Sequence, residues 1–501
     1  MFDFLFFKED APLLFTQSYF WVFFAVILLI YQFIYKQLTL RNVFLMLASM
    51  YFYYLSSGYF FLLLVFSTLV DYYIGAAIYG SNSPSYRKFL VISSVFINLI
   101  VLAYFKYTYF FVDGINQLFE TTIEPQNYLA ILANFFTQSQ NFDIDKIVLP
   151  VGISFYTFQT ISYSVDIYRR QLKPVNNIWD FAFYVSFFPQ LVAGPIVRAS
   201  DFVPQIYQAY YLSQAEFGRA IFLIINGLVK KIIISDYISI NFVDRVFAEP
   251  AAYSGFENLM AVYGYAIQIY CDFSGYTDIA IGISLLLGFR LSLNFNSPYK
   301  AYNITDFWRR WHISLSSWLR DYLYISMGGN RKGKFKTYLF LFLTMLLGGL
   351  WHGAHIRFVI WGMLHGTALA IHKVFMEFFP LKKSTKIGNL LAGILTFHFV
   401  CFCWIFFRAE NMSLINEMLY RIIFMFRADL IGDFLVGYDK IFAVMGIAYL
   451  IHWLPTDWKF KVSENFTALP DLTKAIILVA VALFLFQFKS AEVQPFIYFN
   501  F

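Results

Sequence analysis

Seven histidines are the side chains best placed to move a proton near neutral pH, and two of them sit in unusual settings. His352 closes the run Leu346-Leu-Gly-Gly-Leu-Trp-His352-Gly-Ala-His355, which carries no charge from Thr337 to Trp351. An ionisable group at membrane depth is costly and marks a functional site by default. His312 lies in the densest polar stretch, Asp306-Phe-Trp-Arg-Arg-Trp-His312-Ile-Ser-Leu-Ser316. A neutral imidazole in a dry cavity is a competent general base for an alcohol. No Gly-x-Ser-x-Gly elbow occurs, so the residues offer no protein nucleophile of hydrolase type. The chemistry this suggests is transfer between a bound donor and an acceptor hydroxyl. Residue types alone leave a transporter or channel with polar helix junctions equally open.

The other histidines read differently. His372 and His452 border interfacial residues and read as structural. His398, mid-run in Thr-Phe-His-Phe-Val-Cys, is expected to hydrogen-bond to a neighbouring helix. His352 and His355 are spaced i, i+3 and His365 follows, but a metal site needs convergent ligands and a second shell, and no carboxylates lie nearby. No metal is expected. Asp272 and Asp278 are about 600° apart round a helix, so they do not share a face. They read as helix-packing hydrogen-bond acceptors, with Asp272 kept as a candidate for lining a site.

The elements that must position these groups are membrane helices. Of 501 residues, 59% are hydrophobic and only 14% charged, against about 25% charged in soluble domains. Windows of about 20 apolar residues recur along the chain, each long enough to cross a bilayer. The net charge of +6 is spread over short loops between apolar runs. That pattern is the positive-inside signature and excludes a nucleic-acid face. Cys271, Cys401 and Cys403 lie in apolar runs with no paired spacing, so buried thiols are expected. The fold class is all-α and polytopic, with roughly 11 to 13 transmembrane and re-entrant helices on the length criterion. No repeat or linker divides residues 1–501, so one domain is expected.

Spans are expected near 20–35, 42–57, 59–80 and 89–112, then a polar loop over 114–146 with one amphipathic helix near Tyr128–Phe136. The hydroxyl-rich segment 150–166, with Gln159, must find partners across helices or line a wet cavity. Two prolines and a glycine in Phe188-Pro-Gln-Leu-Val-Ala-Gly-Pro-Ile imply a broken or re-entrant helix. Lys230 and Lys231 interrupt the run 216–242 and read as snorkelling or as a helix end. Thr305 or Asp306 is a plausible N-cap for the segment carrying His312. The basic turn Arg331–Lys336 marks the cytoplasmic side, and the fifteen residues 337–351 then climb roughly 22 Å. His352 is thereby placed past the midplane. Spans near 357–378, 387–407, 440–456 and 471–488 follow, with an amphipathic segment over 411–432. Lys382, Lys383 and Lys386 agree with the alternation, which puts both termini outside.

Three ordered motifs carry a resemblance. Asp306-Phe-Trp-Arg-Arg-Trp-His312-Ile-Ser-Leu-Ser, Leu350-Trp-His352-Gly and Phe188-Pro-Gln-Leu-Val-Ala-Gly-Pro-Ile resemble the membrane-bound O-acyltransferase family, in its bacterial alginate O-acetylation branch and the related teichoic acid D-alanyl transfer branch. The resemblance runs from about residue 40 to the end of the chain. It implies an outer funnel and a narrow cytoplasmic tunnel meeting near His352, with His312 as the second family histidine. The implied reaction moves an acyl group, usually acetyl, from a cytoplasmic thioester such as acetyl-CoA or an acyl-carrier protein to an outer hydroxyl, with no bound cofactor. His352 would take the acceptor proton; His312 would orient a substrate or stabilise charge on the thioester carbonyl. Trp351, Trp311, Arg309, Arg310, Asn296, Ser316, Asp272 and Gln159 are the candidates for lining the passage. A periplasmic or extracellular hydrolase-like partner is implied as acyl acceptor, at a bacterial cytoplasmic membrane. A lipid or peptidoglycan O-acyltransferase of the same fold is the alternative, and a non-catalytic transporter a further one.

Overall fold

The computed structural model describes residues 6–8, 12–138, 142–192, 194–379, 385–488 and 496–497. Every regular element among the described residues is helical. Lys382, Lys383, Ala193 and the extreme C-terminal residues 498–501, on which parts of the sequence reading rest, lie outside this set. So do Met1 to Leu5 at the N-terminus.

Two populations of helix divide the work. Five stretches are long and apolar enough to cross a membrane: Leu38–Gly80, Pro84–Phe119, Lys334–His352, Ile356–Phe378 and Lys386–Arg408. Two bent pairs, Ala428–Gly437 with Asp439–Trp453 and Thr456–Thr467 with Asp471–Gln487, would raise that to seven. These helices bury one stripe and present phenylalanine, leucine and isoleucine outward, as lipid-facing helices do. The sequence estimate of 11 to 13 embedded helices also counts shorter, more polar segments, which length and apolarity alone do not select.

The second population is buried all round. In Ile153–Tyr168, 14 of 16 residues are buried, and in Gly255–Leu286, 26 of 32. A helix with no lipid or water face must satisfy every hydroxyl internally. Thr160 Oγ1 donates to Asn98 Oδ1 (3.0 Å) and Ser164 Oγ to Asp71 Oδ1 (3.2 Å). Gly255–Leu286 starts at a capping box, Ser254 with Glu257. It lies against Gln214–Leu228 at glycines: a Cβ on Gly227 would stand 2.5 Å from the Gly275 carbonyl oxygen. Small residues let two backbones approach this closely.

The segment after Ile178–Ser186 breaks as its prolines demand. Phe187 leaves the helix, Phe188–Leu191 makes one further turn, and residues 194–198 are irregular before the helix Ala199–Ile206. The freed backbone groups are satisfied by side chains: Phe188 N–H donates to Ser49 Oγ (3.1 Å) and Ile196 N–H to Ser314 Oγ (3.0 Å).

Several expectations are corrected. Helix Pro84–Phe119 starts earlier and ends later than the span 89–112, because Ser83 caps it and Pro84 fits its first turn. Its 36 residues extend about 54 Å, well beyond an apolar core of about 30 Å. Lys230 and Lys231 neither snorkel nor end the helix. The chain widens into π-turns over Val229–Asp236, and both lysines turn inward. Lys230 pairs with Asp278 (2.7 Å), and Lys231 with Asp236 (2.7 Å) and Asp272 (2.6 Å). The two acids are helix-packing acceptors as expected, each with a lysine as a donor, and Asp278 also accepts from the Asn226 amide (2.7 Å); adjacent lysines diverge by about 100° and reach both sides. The N-cap before His312 is Asn303, not Thr305 or Asp306, since Asn303 Oδ1 accepts the Asp306 N–H at 2.8 Å.

Candidate active site around His352 and His312

His352 is the last residue of Lys334–His352 and is 3% exposed. The chain leaves that helix abruptly at Gly353, which is extended. A Cβ there would lie 2.1 Å from the Phe358 ring, so only glycine lets Phe358 pack under the turn. The following helix, Ile356–Phe378, crosses the first at Gly349 and Gly362, where added Cβ atoms would meet carbonyl oxygens at 2.3 and 2.5 Å. The imidazole is boxed by the rings of Trp351 (5.0 Å between centroids), Trp361 (5.0 Å) and Phe407 (5.2 Å).

The end of this helix is held from outside. The last four carbonyls of a helix have no partner of their own. Lys106 Nζ donates to the Trp351 carbonyl (2.7 Å) and the His352 carbonyl (3.1 Å). Tyr107 OH donates to the Leu350 carbonyl at 2.8 Å. Both come from Pro84–Phe119.

His312 is mounted differently. It joins the short helices Ile304–Arg310 and Ile313–Trp318 and takes a left-handed backbone, φ 41°. That conformation is uncommon outside glycine and is held only where neighbours over-determine it. Here Asn294 does so. Its Oδ1 accepts the Ser314 N–H (3.2 Å) and Ser314 Oγ–H (2.9 Å) and lies 3.1 Å from His312 Nδ1. A backbone N–H is an unambiguous donor, so this Asn294 atom is the oxygen and His312 Nδ1 donates to it. Nε2 is then the basic nitrogen of the neutral ring.

Trp351 packs against both histidines, 6.3 Å from the His312 ring and 5.0 Å from the His352 ring. Phe273 closes the other side of His312 at 4.5 Å. His365, considered from sequence only as a metal ligand, joins the cluster: it accepts the Trp308 indole N–H at 3.3 Å and packs on Trp361 at 4.7 Å. Among the described residues no group of three or more His, Cys, Asp or Glu side chains could hold a metal ion.

A cavity of about 40 Å³ opens beside His352, lined also by Trp351, Lys106, Val192 and Leu149–Phe155. That is room for a water molecule or two. The N-terminus of Ile153–Tyr168, the positive end of its dipole, borders this cavity. From Trp351 a line of packed rings leads away: Phe158 stacked at 5.2 Å, Trp318 on Phe158 at 3.8 Å and nearly parallel, and Tyr322 tilted against Trp318 at 5.2 Å. It ends at a polar pocket of about 390 Å³ lined by Asp166, Arg169, Arg198, Asp321 and Tyr322, among others. Arg198 pairs with Asp321 at 2.7 Å. Burial pushes the Asp321 carboxyl up, but hydrogen bonds from Arg320 and Arg198 outweigh it and hold the group below the usual carboxylate range.

The remaining sequence candidates fall elsewhere. Trp311 is buried among Phe307, Phe295 and Trp404. Arg310 pairs with Asp306, while Arg309 and Asn296 are exposed. Ser316 Oγ donates to the Trp311 carbonyl (3.1 Å). Gln159 is buried, and its carbonyl accepts the Ser162 hydroxyl at 2.7 Å. Asp272 holds Lys231 and the Ile497 N–H (2.9 Å). None of these lines the cavity beside His352, which Trp351 does. His372 bonds Thr305 (2.9 Å) and His452 accepts the Tyr299 N–H (3.2 Å), both structural as expected. His398 is exposed and bonds its own helix, at the Ile394 carbonyl (2.8 Å), rather than a neighbouring one.

The profile of the membrane-bound O-acyltransferase family matches residues 168–409. A probable alginate O-acetylase of Pseudomonas putida is 37% identical over 484 residues, 92% of this chain and 94% of that protein. The chain belongs to the membrane-bound O-acyltransferase family. It is a polytopic membrane enzyme, an O-acyltransferase, and the transport reading left open by residue types is closed. A peptidoglycan O-acetyltransferase of Helicobacter pylori is 32% identical, covering 92% of this chain and 91% of its own. A teichoic acid D-alanyltransferase of Bacillus subtilis is 31% identical, covering 52% and 69%. The matched segment of this O-acyltransferase includes His312, His352 and His365, whereas Lys106, Tyr107 and the Gly152 turn precede it.

Proposed function

We propose that this enzyme carries an acyl group, acetyl in the first instance, from a cytoplasmic thioester to a hydroxyl on the outer side of a bacterial cytoplasmic membrane. The observation that carries this reading is the pair of buried histidines that both pack on Trp351, one of them bordering a cavity. His352 takes the acceptor proton as the hydroxyl oxygen attacks the thioester carbonyl. The new C–O bond forms, the C–S bond breaks, and the proton leaves with the thiol. His312, with Nδ1 held by Asn294, presents Nε2 toward the reacting groups and orients them.

The pocket at Arg169 and Arg198 serves as the donor entrance, and the line Tyr322, Trp318, Phe158, Trp351 marks the path of the acyl arm. Acetyl-CoA and an acyl-carrier-protein thioester are the two donor chemistries this path would take. The alginate relatives support an exported polysaccharide, or a periplasmic partner that passes the group on, as acceptor. The peptidoglycan relative, matched over nearly the whole chain, favours a cell-wall glycan as the second reading. Both termini lie outside on this proposal.

The test is ester formation in native membranes given labelled acetyl-CoA or labelled acetyl-acyl-carrier protein. Wild type is expected to transfer label to glycan or a partner protein. Thioester left unconsumed with both donors would overturn the reading.

A further inference from the structure

The buried amine of Lys106 has no part in that proton transfer. Among the described residues no carboxylate pairs with it; its ammonium caps the helix that ends in His352 instead. Two of its three N–H donors go to the Trp351 and His352 carbonyls, at 2.7 and 3.1 Å, and Tyr107 takes the Leu350 carbonyl. Three of the four orphan carbonyls of that helix are thus bonded by two consecutive residues of one neighbouring helix. Gly353 is extended and supplies no cap N–H of its own. Away from bulk water, a helix end must be satisfied by protein groups or by the few waters a cavity can hold. A cation at a helix C-terminus is also favoured by the helix dipole. The ammonium further lies 5.8 Å from the centroid of the Trp351 ring and borders the same cavity as His352.

We propose that Lys106, assisted by Tyr107, is the positioning residue that fixes the last turn of the Lys334–His352 helix and so aims the His352 imidazole at the acceptor. The inference rests on the reading of His352 as the base. Misplacing a catalytic group by about 1 Å costs on the order of 100-fold in rate, and these two side chains tie the backbone of that turn to a second helix.

The experiment uses native membranes carrying the full-length chain, supplied with labelled acetyl-CoA or labelled acetyl-acyl-carrier protein, with rates read at limiting and saturating donor. Wild type and His352→Ala come first; an inactive wild type, or an unimpaired His352→Ala, defeats the parent reading before any Lys106 variant is measured. Lys106→Met is expected to lower kcat by about 100-fold with donor KM within about twofold. Lys106→Arg, which keeps a cation and donors, is expected to recover at least about tenfold of that loss. Lys106→Met combined with His352→Ala is expected to match His352→Ala alone, because residues that act as a unit are not additive. Tyr107→Phe, which removes one hydroxyl, is expected to lower kcat about threefold and to leave thermal unfolding in detergent unchanged. An active Lys106→Met, a loss that Arg does not rescue, or a further loss in the double variant would overturn the inference. Should Lys106→Met fail to fold, an unchanged kcat in Tyr107→Phe overturns it.

Discussion

The two histidines are mounted by opposite means. His352 rides on a regular helix, and its position is set by backbone carbonyls bonded from a second helix. His312 sits where a helix is broken, on a left-handed residue whose ring is set by one amide side chain. A helix end transmits a shift of its whole last turn, whereas a strained junction pins one residue and lets its flanks differ. The difference suits the roles proposed for them, His352 as a base that meets an incoming hydroxyl and His312 as a partner that keeps one tautomer.

The contrast between the mounts is probed most severely at Gly353. Gly353→Val would drive its side chain into the Phe358 ring, where even a Cβ would stand at 2.1 Å. Overpacking of this kind costs about 1–3 kcal/mol and shifts backbone. Transfer is expected to fall more than about 100-fold in an assay of membrane protein whose folding is checked by thermal unfolding. At the other mount the backbone and the ring can be separated. His312→Asn tolerates the left-handed conformation and removes only the imidazole, so a loss of about 10- to 100-fold at near-native stability is expected. His312→Val should lose the same activity and stability as well, read as a lower unfolding temperature.

Asn294→Ala comes next. It strips an acceptor from Ser314 N–H, Ser314 Oγ and His312 Nδ1 together. Leaving buried donors unpaired costs about 1–3 kcal/mol, and a roughly tenfold fall in kcat is expected while His352-dependent chemistry persists. Arg309→Ala sits at the bottom of the scale. The side chain is exposed, so rates within about twofold of wild type are expected; a larger fall would return the Trp-Arg-Arg-Trp motif to the site.

The same contrast explains what could be read from residues and what could not. His352 was legible because a charge-bearing ring in a long apolar run has no cheap alternative explanation. The broken segment at Pro189 and Pro195 was legible because proline removes donors wherever it falls. The hydroxyls of 150–166 showed that this segment needs partners across helices or a wet cavity, since lipid cannot satisfy them; the structure gives the partners. Lys106 was not legible. A lysine among tyrosines in a span carries no local mark of the carbonyls it caps, which are more than 240 residues away. Asn294 was equally silent, and its exposed neighbour Asn296 drew attention instead. Lys230 and Lys231 misled because their carboxylate partners Asp272 and Asp278 come from a helix about 40 residues later. His365 was missed as a member of the cluster because only packing through Trp361 brings it there.

The most direct measurement is thioester consumption by His352→Ala beside wild type, in native membranes with labelled donor and the cell's own acceptor. With protein of equal amount and equal thermal stability, a base at His352 predicts a fall of at least about 100-fold, the low end of what a positioned general base contributes, with donor binding retained. Consumption by His352→Ala at the wild-type rate would contradict it.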